Sequence, residues 1–278
     1  MLSERLRAVA SLVTPGQTLA DNGTDHAYVP IRLVLDSLIP RAIAMDVNEG
    51  PLARAKENIL RMGLADRIEA RLSDGFEALE EGEVQCAVIA GMGGALTIRI
   101  LNAFPRKVRK LDQLILQPQS ELYEVRKYLA ENGFRITAED MVFEDGKYYP
   151  MMQVVPEEAG MQAVQEEAGM QTLPEKENLQ AVFVRKAGKI LPEDGRNCRE
   201  MQKEEKLPQR LSFLYGPCLL ARRHPVLKQY LKREERIRGQ ILMQLAKAGG
   251  ERSGLRREQV EEELADIRLA LAGFNTDK

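Results

Sequence analysis

Apolar positions along the first half of this chain alternate between two rhythms. Leu2, Leu6, Val9, Ala10 and Val13 fall at helical spacing and predict an N-terminal helix over one sheet edge, ended by Thr14-Pro15-Gly16. A short strand follows from Gln17 to Asp21, and Tyr28 to Leu38 reads as a crossover helix closed by Pro40. Ala42-Ile43-Ala44-Met45 is a second buried strand ending at Asp46, and Gly50-Pro51 opens a helix through Leu52, Ala55, Ile59 and Leu60. Arg67 to Leu72 alternates as a third strand, ending at Ser73-Asp74-Gly75. Val84 to Ala90 is nearly all apolar, as a central parallel strand covered on both faces must be. It passes through Gly91-Met92-Gly93-Gly94 into a helix from Ala95 to Leu101. A fifth strand, Gln113 to Leu116, ends at Gln117-Pro118-Gln119 before a helix from Glu121 to Glu131.

Strands and helices alternating at this spacing predict an α/β fold with a doubly wound, Rossmann-like parallel sheet. Arg135 to Phe143, the turn Glu144-Asp145-Gly146-Lys147 and Tyr148 to Val155 add an antiparallel hairpin, since Asp-Gly between apolar runs favours a tight turn. Towards the C-terminus, Tyr230, Ile237, Ile241, Leu245 and Ala248 form one helical seam, and Val260, Leu264, Ile267, Leu271 and Phe274 a second. A turn from Gly249-Gly250 to Gly254 would fold the two into a coiled-coil-like antiparallel helical hairpin. The predicted organisation is a sheet domain over residues 1–155, an insertion over 156–206 and a helical arm over 207–278. The insertion carries a tandem repeat, Glu157-Glu158-Ala159-Gly160-Met161-Gln162 and Glu166-Glu167-Ala168-Gly169-Met170-Gln171, and reads as a flexible acidic segment without chemistry.

Composition narrows the class. Hydrophobic residues make up 44% and charged residues 29% of the 278, ordinary for a globular protein. No run approaches the roughly 18 apolar residues of a membrane span, so no membrane partner is expected. The first residues carry Glu4 and lack a long apolar core, unlike a signal peptide. Cys86, Cys198 and Cys218 are odd in number, far apart and without CxxC spacing, which argues against a disulfide framework or zinc site and for a cytoplasmic location. With His26 and His224 the only histidines, neither a metal site nor a triad is expected. The net charge of −2 hides an asymmetry: residues 139–180 hold ten acids and two bases, residues 181–260 nineteen bases and nine acids. A basic arm facing a polyanion is one reading, and helices solvated by lysine and arginine the other.

The candidate chemistry lies at the strand ends. Asp21, Asp46 and Asp74 each follow one of the first three strands, and Gly23 permits a sharp turn where a backbone can approach a ligand. Gly91-Met92-Gly93-Gly94-Ala95-Leu96 superficially suggests dinucleotide binding, but its sixth position is leucine and it follows the fourth strand. Together the three acids resemble the pattern of class I S-adenosylmethionine-dependent methyltransferases. By that resemblance the Asp21 region holds the amino-acid end of the cofactor, Asp46 the ribose hydroxyls and Asp74 the adenine amino group, each a hydrogen-bond donor suited to a carboxylate.

The resemblance sharpens. Asp21-Asn22-Gly23-Thr24-Asp25-His26-Ala27-Tyr28 is similar to the D-x-G-[ST]-D-H-A-Y motif of the bacterial tRNA (adenine-22)-N1-methyltransferase family. Asp46-Val47-Asn48-Glu49-Gly50-Pro51-Leu52, Asp74-Gly75, Ala90-Gly91-Met92-Gly93-Gly94, Leu116-Gln117-Pro118 and Asp145-Gly146-Lys147 follow in that family's order. Asn22 stands where the family more often has an aliphatic residue, Asp46 where glutamate is common and Gln119 where asparagine is usual. The resemblance implies methyl transfer from S-adenosyl-L-methionine to N1 of an adenine in the D-arm region of tRNA. It implies a cofactor set of Asp21, Gly23, Asp25, His26, Asp46, Val47, Asp74, Gly75, Gly91 and Met92, and an acceptor pocket at Gly93, Gln117 and Pro118. Asp25 is a candidate for stabilising charge on the base or taking an amino proton, or else a helix cap, and Tyr28 for stacking on it, or else a core residue. Arg222, Arg223, Lys228, Lys232, Arg233 and Arg236 crowd the first arm helix and are candidates for gripping tRNA phosphates. A dimerising coiled coil, a small-molecule acceptor and a non-catalytic RNA-binding protein are the alternatives, and the sequence leaves monomer or homodimer open.

Overall fold

The structure, a computed structural model, describes residues 2–157, 208–248 and 251–275. Its centre is a seven-stranded sheet in the order β3-β2-β1-β4-β5-β7-β6. β1 (Leu19–Asn22), β2 (Ala42–Asp46), β3 (Ile68–Leu72), β4 (Cys86–Ala90) and β5 (Gln113–Gln117) run parallel. β6 (Phe134–Glu144) and β7 (Lys147–Pro156) close the sheet as an antiparallel hairpin, β7 pairing with β5. Asp145 and Gly146 both take positive φ, 50° and 77°, as a two-residue hairpin turn of primed type requires.

Alternation along each strand sends side chains into two cores. Leu19, Ala44, Cys86, Val88 and Ile115 pack under α1 (Glu4–Ser11), α2 (Tyr28–Leu35) and α3 (Glu49–Arg61). Ala20, Met45, Ala87, Ile89 and Leu116 pack under α4 (Gly94–Ala103), α5 (Pro105–Arg109) and α6 (Leu122–Glu131). The near-continuous apolar β4 is therefore covered on both faces, and the doubly wound sheet expected from the sequence is what forms.

α2 stops at Leu35 rather than Leu38 because Ser37 takes φ of 57° and turns the chain. The arm begins with two short helices absent from the sequence reading, α7 (Gln209–Tyr215) and α8 (Pro217–Ala221), split at Gly216. Two long helices follow, α9 (Pro225–Ala248) and α10 (Glu251–Ala272). Gly254 lies inside α10 rather than in the expected turn, and Gly249-Gly250 lie outside the described residues. Val260, Leu264, Ile267 and Phe274 are buried as expected. A third core joins Leu227, Leu231, Ile267 and Phe274 to Met141 of β6, so the arm is seated on the hairpin edge of the sheet. Cys86 is a free buried thiol, whereas Cys218 is disulfide-bonded, a bond that the odd number and wide spacing of the cysteines did not suggest. The insertion, beyond residue 157, lies outside the described residues. No helix among the described residues is long and apolar enough to cross a membrane.

Candidate functional site

The carboxyl ends of β3, β2, β1, β4 and β5 lie side by side, and the strand order reverses between β1 and β4, where ligands of open α/β sheets sit. Three loops are tied together there. The backbone N–H groups of Gly23 and Thr24 donate to the Met45 carbonyl at 2.9 and 2.8 Å, and Ser73 N–H donates to the Asp46 carbonyl at 3.0 Å. Asp21 is buried and accepts a 2.6 Å hydrogen bond from the Thr24 hydroxyl. Burial outweighs that bond and, with the nearby Asp46 carboxylate, lifts its pKa to about 6. Asp46 is also buried, one oxygen accepting from Asn48 N–H at 2.7 Å. Val47 beside it and Asp74 are exposed, and Gly75 takes φ of 58°.

Gly23 has φ of 79°, which favours glycine in the turn, and a Cβ there would have to push the Met92 methyl aside where the β1 and β4 loops meet. Beyond it His26 and Ala27 hold φ of 67° and 55°, each costing a non-glycine residue about 1–2 kcal/mol. Asn58 of α3 holds this strained turn: its Nδ2 donates to the His26 carbonyl at 3.0 Å and lies 3.3 Å from His26 Nδ1. With the amide donating, Nδ1 accepts and the ring proton sits on Nε2, 3.5 Å from an Asp25 oxygen. Asp25 itself is exposed and paired with Arg54 at 2.9 Å, and α2 begins at an Ala27 cap with no side-chain hydrogen bond. The capping role considered for Asp25 is thus not realised. Tyr28 is 46% exposed rather than buried in the core, and its ring stacks on His26 at 5.0 Å with 10° between planes.

The β4 and β5 loops complete the site. Gly91 N–H donates to the Gln117 carbonyl and Gln119 N–H to the Met92 carbonyl, so Gly91, Met92, Gly93, Gln117 and Pro118 form one wall. Glu121, in the left-handed region at φ of 47°, accepts from the backbone N–H groups of Gly94 and Ala95 and so caps α4 from the neighbouring loop. The Ser120 hydroxyl and these N–H groups hold its carboxyl below the usual range. Sequence reading missed this cap, and it also missed Arg5. Arg5 Nη1 donates to Gln117 Oε1 at 2.9 Å and its guanidinium lies 5.4 Å over the Tyr149 ring. The available signal was a charge on the stripe of Leu2, Leu6 and Val9.

The six arm cations are not brought to this site. Arg222 donates to the Glu139 carbonyl at 3.3 Å, Lys228 lies 5.9 Å over Phe274 and Arg233 5.7 Å over Tyr148. Arg223 is exposed in a turn at φ of 49°, and Lys232 and Arg236 are exposed on α9.

Chemically, the site offers two buried carboxylates and a close-approach glycine turn. It also holds a buried hydrogen-bond donor, Asn22 Nδ2, which has no partner among the described residues. A buried unsatisfied donor costs about 1–3 kcal/mol, so a group that accepts from it is favoured in this pocket. The donor set fits S-adenosylmethionine, which presents an ammonium and ribose hydroxyls to acids and several oxygens and ring nitrogens to donors.

Comparison with known proteins agrees. Residues 2–152 match the family described as "Methyltransferase domain". The chain is 39% identical over 159 residues to the tRNA (adenine(22)-N(1))-methyltransferase of Bacillus subtilis, an alignment spanning 57% of this chain and 66% of that relative. Among solved structures, Streptococcus pneumoniae Sp1610, described as a candidate tRNA (m1A22) methyltransferase and bound to S-adenosyl-L-methionine, superposes with TM-score 0.71 at 30% identity, covering 98% of this chain and 100% of that one. The B. subtilis m1A22 tRNA methyltransferase TrmK superposes with TM-score 0.73 at 26% identity over 98% and 99% of the two chains. The acids at the strand ends, the glycine turn between them and the match across residues 2–152 place this chain in the methyltransferase-domain family, with its similarity directed to the tRNA (adenine(22)-N(1))-methyltransferases.

Proposed function

We propose that this protein transfers a methyl group from S-adenosyl-L-methionine to N1 of an adenine at position 22, in the D-arm region of tRNA, in the cytoplasm. The observation that carries the acceptor class is that likeness to Sp1610 runs through the helical arm, over 98% of this chain, rather than stopping at the sheet. A small-molecule methyltransferase sharing only the sheet has no need of that arm. The sheet, residues 1–155, is the catalytic domain in this reading and residues 207–278 the tRNA-facing arm.

The cofactor supplies, when bound, an electrophilic methyl group on a sulfonium. Asp21 and the Gly23 turn would hold its amino-acid end, Asp46 the ribose hydroxyls, and Asp74 with Gly75 the adenine; Val47, Gly91 and Met92 would line it. Adenine N1 carries an in-plane lone pair, so the chain need not remove a proton before attack. The geometry suits that requirement: Asp25 is paired with Arg54, and His26 lies against Asn58, which holds both side chains in place beside the turn. Asp25 and His26 act instead as the braced rim of the cofactor turn. The residues have to present the base edge-on, which in folded tRNA means unstacking it at about a few kcal/mol. The half-exposed Tyr28 ring, backed by His26, offers a face for the displaced base, and Gly93, Gln117 and Pro118 bound the pocket opposite. Lys232 and Arg236, exposed four residues apart on α9 and not laid on an aromatic ring as Lys228 and Arg233 are, are the arm cations assigned to phosphates in this reading.

The test is incubation with labelled S-adenosylmethionine and unmodified tRNA transcripts, with the methyl group mapped by mass spectrometry. N1-methyladenine at position 22 is expected. Cofactor binding without transfer to any tRNA would overturn the acceptor and favour a small molecule, and absence of cofactor binding would overturn the enzyme.

A further inference from the structure

A fully buried ion pair lies where the arm meets the sheet. Arg126 of α6 is 2% exposed and Glu139 of β6 is 0% exposed, their Nε and Oε1 atoms 3.0 Å apart. Ions this deep are retained only when their remaining hydrogen-bonding capacity is met. Here it is met by the break between α7 and α8. Arg126 Nη1 donates to the Phe213 and Leu214 carbonyls at 3.0 and 3.2 Å, covering the C-terminal end of α7. The other Glu139 oxygen accepts from the backbone N–H groups of Cys218 and Leu219 at 2.9 and 3.4 Å, covering the start of α8. Gly216 sits between them at φ of 93°, and a Cβ there would fall 2.6 Å from both carboxylate oxygens. The next residue adds a second tie, Asp140 Oδ1 to His224 Nε2 at 3.0 Å.

The other end of the connection is the acceptor wall. Five residues before Arg126, Glu121 caps α4 at Gly94, and a Cβ on Gly94 would lie 2.9 Å from Val125, the neighbour of Arg126. The first two turns of α6 thus touch the Gly93-Gly94 loop on one side and the root of the arm on the other. We propose that the Arg126–Glu139 pair is a clasp that registers the helical arm against the acceptor pocket, making both of them positioning residues for transfer to tRNA. The inference rests on the tRNA reading above. Without the clasp the arm keeps its apolar seat on Met141 and Tyr148 and the Asp140–His224 tie but loses the bonds that fix the α7–α8 break, so a tRNA held by the arm no longer presents its adenine in register.

Removing one partner strands a buried charge, so the informative variant is the apolar double substitution Arg126→Met/Glu139→Leu, which keeps the volume and removes both ions. The readouts are cofactor affinity by calorimetry, the distance distribution between labels at Arg99 on α4 and Gln244 on α9, and steady-state transfer to tRNA. Cofactor affinity is expected to stay within about twofold, the label distances to broaden, and kcat/KM for tRNA to fall roughly tenfold to a hundredfold. Wild-type distances together with unchanged tRNA kinetics would overturn the clasp. Should the double variant not fold, Gly216→Ala leaves the ions in place, pushes the α7–α8 break off the carboxylate and is judged by the same readouts. If the unsubstituted enzyme methylates no tRNA, the acceptor reading fails, and the label distances alone decide the clasp.

Discussion

Asp21, proposed above to hold the cofactor's amino-acid end, is kept at the expense of stability. Its pKa of about 6, against the usual 3.8, means that the folded, ligand-free protein holds a proton there that the unfolded chain releases earlier. Its contribution to stability is present below pH 3.8 and is lost as pH rises to about 6, a change of up to about 3 kcal/mol. Asp21→Asn is therefore expected to raise the ligand-free melting temperature above pH 6, with the gain vanishing below pH 4, as read by thermal melts across pH. The same substitution is expected to weaken cofactor binding roughly tenfold or more and to abolish its decline below about pH 6. A melting curve that Asp21→Asn leaves unchanged at pH 7.5 would contradict this account. Asn22 makes a parallel case: its partnerless Nδ2 costs the ligand-free fold about 1–3 kcal/mol unless something accepts from it. Asn22→Leu is expected to leave the ligand-free melt unchanged or higher and to weaken S-adenosylmethionine binding severalfold in calorimetry. Equal cofactor affinity would exclude the donor from the site.

At the scale of elements, the site depends on contacts between segments distant in sequence. α1 is set by the hairpin, since Glu144 beside the Asp145-Gly146 turn accepts from the Glu4 and Arg5 backbone N–H groups at 2.6 and 3.4 Å. That places Arg5 where, as a pure donor, it makes the Gln117 amide present its oxygen inward to the guanidinium. Arg5→Ala removes this constraint and the Tyr149 stack together. The expected outcome is a kcat lowered about tenfold with cofactor affinity unchanged, and a stability loss of about 1 kcal/mol. Single-turnover assays beside calorimetry separate the two, and a change in cofactor affinity equal to that in kcat would place Arg5 in the cofactor site instead.

At the scale of the molecule, the arm's cations divide by what they touch. Arg238 is consumed by Glu234 and Glu263, Arg268 by Glu235 and Arg210 by Asp266, while Lys228 and Arg233 lie on aromatic rings. Surface pairs of this kind contribute about 0–1 kcal/mol to stability, but they withdraw charge from any polyanion. Lys232 and Arg236 are exposed on one face of α9, four residues apart. Changing both to glutamate is expected to weaken tRNA binding about tenfold or more and to flatten its salt dependence by about two counterions, with cofactor affinity unchanged. Filter binding across a salt series measures both, and undiminished affinity would return the arm to the coiled-coil alternative.

What the sequence alone determined follows from local chemistry. The period of apolar residues set strands against helices, the nearly all-apolar Val84–Ala90 run marked the sheet's centre, and Asp145-Gly146 marked the hairpin. The order of strand-end motifs singled out Asp21, Asp46, Asp74 and the glycine loops, to which the proposed function assigns the cofactor. Each of these is written within a few consecutive residues. What only the tertiary structure decided are relations between residues tens of positions apart. Asp25 is engaged by Arg54 instead of capping α2, and Tyr28 stands half-exposed on His26. Arg5 reaches Gln117, 112 residues away, and Arg126 and Glu139 grip a helix break some 80 to 90 residues further along the chain. No local pattern encodes these pairings, because a lone arginine or glutamate in a helix or strand reads as surface until the fold buries it beside its partner.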